Sequence, residues 1–222
     1  FYDWNYYKDH LLEIILPIRL SPKFEIVGFS GLASHGAALA VILVMIYYSR
    51  TVVKKPVLWV LDRITIPVSI GGMFVRFGNF FNSEIIGYET KSALGIKFVR
   101  DRFSPSDAVN LTGIQDVNKA YDAIVNNPQF APLLEAVIPK HPTQLYEALG
   151  YFLLFLIVLY LYWKTDARLY LGKLFGIFLV FLWGIRFVVE YLKESQGGFE
   201  ETLGYLSTGQ WLSIPFIVIG LY

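Results

Sequence analysis

"GGMFVRFGNFF", residues 71–81, closes an apolar run that starts near Pro56. The run is long enough to cross a bilayer. It nevertheless carries Arg76 and Asn79, with Asn82 just beyond it. An arginine in hydrocarbon is costly unless it is paired or reaches water. The stretch therefore reads as a membrane helix whose end projects polar groups into a protected site.

Composition agrees. Of 222 residues, 55% are hydrophobic and 17% charged, against roughly 25% charged in ordinary soluble domains. Mean hydropathy is +0.49. Aromatics reach 17%, including 15 Tyr and 5 Trp, which suits the belts at membrane interfaces. An integral membrane protein is expected. The net charge of +1 and the lack of a dense basic patch argue against nucleic acid. With no cysteine, disulfides, thiolate metal sites and a cysteine nucleophile are excluded. The opening "FYDWNYYKDH" has neither the basic n-region nor the small-residue cleavage site of a signal peptide, and reads as the interior of a longer chain.

Five segments have the apolar character of membrane helices: about 26–48, 56–81, 142–163, 171–192, and 210 to the end, the last too short to span alone. The loop with Arg50, Lys54 and Lys55 and the loop with Lys164, Arg168 and Lys173 are short and basic, so both are expected on the cytoplasmic side. The other connections then face outward. The long one, 82–141, has strand-like alternation around Gly95–Phe103 and helical spacing around Val117–Val125. The expected fold is mainly α: a polytopic transmembrane helical body (1–81 and 142–222) with a small α+β extracytoplasmic head (82–141).

Orientation converts sequence position into depth, at about 1.5 Å per residue. His35 lies roughly 13 Å below the outer surface, Arg76 about 8 Å and Arg186 about 9 Å. Glu147 is at a similar depth, Glu190 one turn nearer the surface, and His141 at the rim. Four helices thus bring polar groups to one outer-leaflet layer, which suggests a shared hydrated cavity. Arginine forks match phosphate oxygens. Asn79 shares a helix face with Arg76, and Glu190, at i+4 from Arg186, can orient or neutralise it. Histidine accepts protons near neutral pH. The residue types describe a site that grips a phospholipid phosphate and moves a proton beside it. Blander roles exist for each: Arg186–Glu190 as a structural ion pair, Asn79 and Asn82 as interhelical glue, His141 as part of a helix cap before Pro142, glycines for close packing. Asp62 and Arg63, away from this layer, are expected to be structural. A transporter or a lipid-binding scaffold with an intramembrane anion site would use the same arginines, though broken helices and inverted repeats are not visible.

Taken together, "RFGNFFNSEIIG" (76–87), "GLASHGAALAVIL" (31–43), "HPTQLYEALG" (141–150) and "GIRFVVEYLKE" (184–194) followed by "LSTGQWLSIP" (206–215) resemble the prolipoprotein diacylglyceryl transferase family. The motifs occur in order and cover most of the chain from Gly31. Val75, Ser83 and Leu182 stand where the family commonly has Gly, Gly and Tyr. The resemblance implies transfer of diacylglyceryl from phosphatidylglycerol to the lipobox cysteine of a preprolipoprotein, in the bacterial cytoplasmic (inner) membrane, at a site open to the outer leaflet. It implies no metal and no cofactor, and further N-terminal helices upstream of Phe1. By the same resemblance His35, Arg76 and Arg186 are catalytic candidates, and Asn79, Asn82, Glu84, Gly87, His141, Gln144, Tyr146, Glu147 and Glu190 are substrate-binding candidates.

Overall fold

A computed structural model describes residues 18–19, 25–26, 34–194 and 206–222, with side chains from 40 onward within these ranges. The N-terminal aromatic cluster, His10, residues 27–33 of the first expected span and most of the last outward loop lie outside the described residues; Ile26, expected to open that span, lies in a strand instead, and the described helix starts at Ser34. The chain forms two compact units, Phe1–Val57 and Leu58–Tyr222.

In the first unit, β1 (Ile18–Arg19) and β2 (Glu25–Ile26) pair antiparallel, with Arg19 opposite Glu25. Helix α1 (Ser34–Tyr48) continues into a π-helical turn, Ser49–Val53. Lys54, at φ 54°, ends it in the left-handed region.

Among its described residues, the second unit is built on three helices long and apolar enough to cross a membrane: α2 (Val57–Phe81), α7 (Thr143–Lys164) and α8 (Lys173–Val189), the last extended to Leu192 by a 3-10 turn. A shorter apolar helix, α9 (Thr208–Leu221), packs along α8. Gly176 and Gly220 make that approach close, because a Cβ on Gly176 would sit 2.7 Å from the Gly220 carbonyl oxygen. Small residues at such crossings let backbones meet without a hydrophobic drive. The shared core is Leu154, Val158, Ala167, Leu174, Phe178 and Leu179.

Polar groups inside α2 are satisfied locally. Thr65 Oγ1 donates to the Asp62 carbonyl (2.8 Å) and Ser69 Oγ to the Thr65 carbonyl (2.7 Å), around Pro67, which has no N–H to give. Buried Asp62 accepts from the backbone N–H of Gly172 (2.8 Å) and of Phe175 (2.9 Å). It caps the positive end of α8. Arg63 instead lies 3.5 Å over the Trp59 ring. Neighbours in sequence, the two serve separate structural purposes.

Between α2 and α7 the chain forms α3 (Val99–Arg102), α4 (Pro105–Thr112), α5 (Val117–Asn126) and α6 (Ala131–Glu135). Local sequence explains the boundaries. Ser104 and Asp107 form a capping box, Pro105 stands at the first helical position, and Gly113 closes α4 at φ 73°. Asp116 caps α5. A second core, Val99, Phe103, Ala108, Ala120, Tyr121, Ile124 and Val137, holds these helices together. The expected strand around Gly95–Phe103 is corrected. Among the described residues, 82–141 holds isolated bridges, Gly87 to Lys193 and both Glu89 and Ile96 to Lys140, and helices, but no strand. Phe98, Val99 and Phe103 all turn into the core through a helical turn, which a short alternating pattern cannot distinguish from a strand. The segment is helical, not α+β.

Candidate active site

Helix α2 ends at Phe81, and the chain turns back through two non-glycine residues in the left-handed region, Ser83 and Ile85, both at φ 57°. A β-branched residue there is strained by roughly 1–3 kcal/mol. The turn folds Glu84 onto the helix end, its N–H donating to the Asn79 carbonyl (2.9 Å). Asn79 Nδ2 donates to Glu84 Oε2 (2.9 Å) and Asn82 Nδ2 to Glu84 Oε1 (3.4 Å). With its amide so oriented, Asn79 presents Oδ1 to Arg76 Nη1 (3.2 Å). Arg76, Asn79 and Glu84 thus form one relay running from buried to exposed.

The start of α7 fastens the turn. Thr143 Oγ1 donates to the Ile85 carbonyl (2.8 Å), and Gln144 Nε2 to the Glu84 carbonyl. Both side chains are buried, and Gln144 Oε1 has no partner among the described residues. One turn deeper, Glu147 has a solvent exposure of 0%. Its Oε2 pairs with Arg76 Nε (2.7 Å) and its Oε1 with Lys193 Nζ (2.8 Å). Tyr151, a further turn down, sets its ring 6.0 Å from the Arg76 guanidinium.

At the end of α8, Lys193 Nζ also reaches Glu190 Oε2 (3.3 Å). The Arg186–Glu190 pair that the i+4 spacing allowed is not formed in the described structure. Arg186 makes no ion pair among the described residues, and its buried Nε has no hydrogen-bond partner among them. The guanidinium lies 5.2 Å from the Trp183 ring, itself stacked on Phe216 at 4.4 Å. Glu190 keeps its helical N–H bond to the Arg186 carbonyl, but its carboxylate is taken by Lys193, three residues on across the 3-10 turn. The layer thus holds a charge-balanced chain, Arg76–Glu147–Lys193–Glu190, and beside it a half-buried cation, Arg186, that is unpaired among the described residues.

The other expected residues lie outside this ion-pair chain. His141 Nδ1 and the Tyr146 hydroxyl are hydrogen-bonded (3.1 Å) at the entry to α7. Gly87 is a packing position: a Cβ there would lie 2.7 Å from Thr143 Cγ2 and would overlap the Leu192 carbonyl. His35 lies in the first turn of α1, where the side chain is outside the described residues. Sequence reasoning missed Lys193, although its i+3 spacing from Glu190 was a usable signal. It also missed Gln210, buried at the start of α9, which bonds back to the Ser207 N–H (3.0 Å) and donates to the Phe187 carbonyl (3.3 Å).

The model of the family described as prolipoprotein diacylglyceryl transferase matches residues 1–222. The chain belongs to that family. Relatives named phosphatidylglycerol–prolipoprotein diacylglyceryl transferase include one from Bacteroides fragilis, 36% identical over 224 residues, covering 100% of this chain and 68% of the relative. One from Porphyromonas gingivalis is 36% identical over 227 residues, covering 100% and 68%. One from Tolumonas auensis is 34% identical over 220 residues, covering 99% and 67%. Family membership and three membrane-length apolar helices make this diacylglyceryl transferase homologue a membrane protein.

Proposed function

We propose that this protein transfers the diacylglyceryl group of phosphatidylglycerol to the lipobox cysteine thiol of a preprolipoprotein, releasing glycerol-1-phosphate. The thiolate is the attacking species. Its sulfur bonds to the diacylglyceryl carbon as that carbon's bond to the phosphate oxygen breaks. The electron pair leaves with the phosphate, which becomes a monoester with added negative charge. Arg186 and Arg76 bind the phosphate and stabilise that charge. His35, by the family resemblance, accepts the thiol proton.

The observation that carries this reading is Arg186. A cation without a carboxylate partner among the described residues, beside a charge-balanced network, favours an anionic ligand. Arg76 is held ready by Glu147 and by the Asn79–Glu84 relay, with Asn82 steadying Glu84. Gln144 Oε1, His141 and Tyr146 supply polar atoms for the headgroup, and Gly87 gives close backbone approach. The helical body sits in the bacterial inner membrane, and 82–141 is a helical head on the outer side, where the site opens to the outer leaflet. The basic loops at 50–55 and 164–173 support this orientation.

The test uses the full-length parent protein in detergent with phosphatidylglycerol and a synthetic lipobox peptide. Peptide mass and glycerol phosphate are followed for wild type and for Arg186→Ala. A diacylglyceryl mass gain that disappears in the variant is expected. No gain from folded, lipid-binding wild type would refute the transferase reading and favour a non-catalytic anion site.

A further inference from the structure

Lys193 belongs to none of the roles assigned above, yet it is buried and joins both carboxylates of the layer. Its backbone is clamped. The Tyr88 N–H donates to the Leu192 carbonyl (2.9 Å) and the Glu194 N–H to the Ile86 carbonyl (3.3 Å), which form the bridge between Gly87 and Lys193. Glu194 is in turn held by Lys140 (2.8 Å). The ammonium is therefore aimed inward by main-chain geometry. Glu190 has been given space on its other side, because a Cβ at Gly209 would overlap its carboxylate.

We propose that Lys193 is a positioning residue: by holding Glu190 it keeps that carboxylate off Arg186 and leaves Arg186 free for the lipid phosphate. Glu190 lies four residues from Arg186, a spacing at which opposite charges on a helix attract. A buried carboxylate without a counter-charge is expensive. If Lys193 were absent, Arg186 is the cation on Glu190's own helix that could neutralise it. The phosphate would then have to displace an internal anion. Lys193 acts at the same time on Glu147, so the Arg76 pair is fixed from the same point.

This inference rests on the transferase reading, and its test separates the two. Initial rates would be measured in mixed micelles against the mole fraction of phosphatidylglycerol for wild type, Lys193→Met, Lys193→Arg and the double variant Lys193→Met with Glu190→Gln. Phosphatidylglycerol binding would be measured alongside, and folding followed by thermal unfolding. Lys193→Met should raise KM for phosphatidylglycerol roughly ten- to a hundredfold, the scale of one charge-assisted contact, while Lys193→Arg stays near wild type. The double variant should return KM most of the way to wild type, since Glu190 can no longer occupy Arg186 and only the lost Lys193–Glu147 contact remains. An unchanged KM in folded Lys193→Met, or a KM that remains high in the double variant, would overturn the role. If Lys193→Met does not fold, the double variant decides by the same criterion. An inactive wild type would refute the transferase reading instead, and the binding curves of the same variants would then decide the role of Lys193.

Discussion

Glu147→Gln tests the centre of the network. The substitution keeps shape and one carbonyl acceptor, but removes the charge shared by Arg76 and Lys193 at 2.7 and 2.8 Å. Glu147 has 0% exposure and the Arg76 side chain 11%, so water cannot take over either cation cheaply. Breaking a buried pair from one side costs about 3–5 kcal/mol. For a chain of this size that is a fall of roughly 10 °C in Tm. Thermal unfolding in detergent measures it. A cycle with Lys193→Met adds a second reading: residues in one ion-pair network couple by about 0.5–3 kcal/mol. Transfer activity should fall as well, because Arg76 loses its anchor. A Tm shift under about 2 °C, with no coupling in the cycle, would refute the argument that the layer is a tightly coupled buried network.

Other outcomes follow from single features. Ser83→Gly should stabilise the protein by about 0.5–1 kcal/mol, because φ 57° suits glycine; differential thermal unfolding against wild type checks this. Gly87→Ala should destabilise by about 1–3 kcal/mol and disturb the bridge to Lys193, seen as lower Tm together with lower activity. The Ser104 hydroxyl, and then the Ser104 N–H, donate to the Asp107 carboxylate and hold it below the ordinary aspartate range. Its contribution to α4 is therefore present above that ordinary range and lost as pH falls through the depressed value. Hydrogen exchange of residues 105–112 should speed up on acidification relative to intrinsic rates, and Asp107→Asn should remove that dependence.

Much of the architecture was legible. Apolar run length located α2, α7, α8 and the shorter α9 to within a few residues, because spanning length and hydrogen-bond closure leave a membrane segment few alternatives. The i+3 relation of Arg76 and Asn79 survived as a hydrogen bond, since both lie within a regular helix. The same logic failed for Arg186 and Glu190, where a lysine three residues on takes the carboxylate. It failed again at Gly95–Phe103, where alternation over a few residues was overridden by the core that Val99 and Phe103 enter.

By itself the sequence determined the class of protein, the helices and the kinds of charge placed at one depth, since these depend on composition and local periodicity. Only the tertiary structure decided which charges are paired. Glu147 sits between Arg76 and Lys193 through contacts made across 71 and 46 residues of chain, fixed by the turn at Ser83–Ile85 and the bridge from Gly87 to Lys193. Ion pairs need contact within a few ångströms, so the cation left unpaired in this layer among the described residues, Arg186, is a property of the folded arrangement.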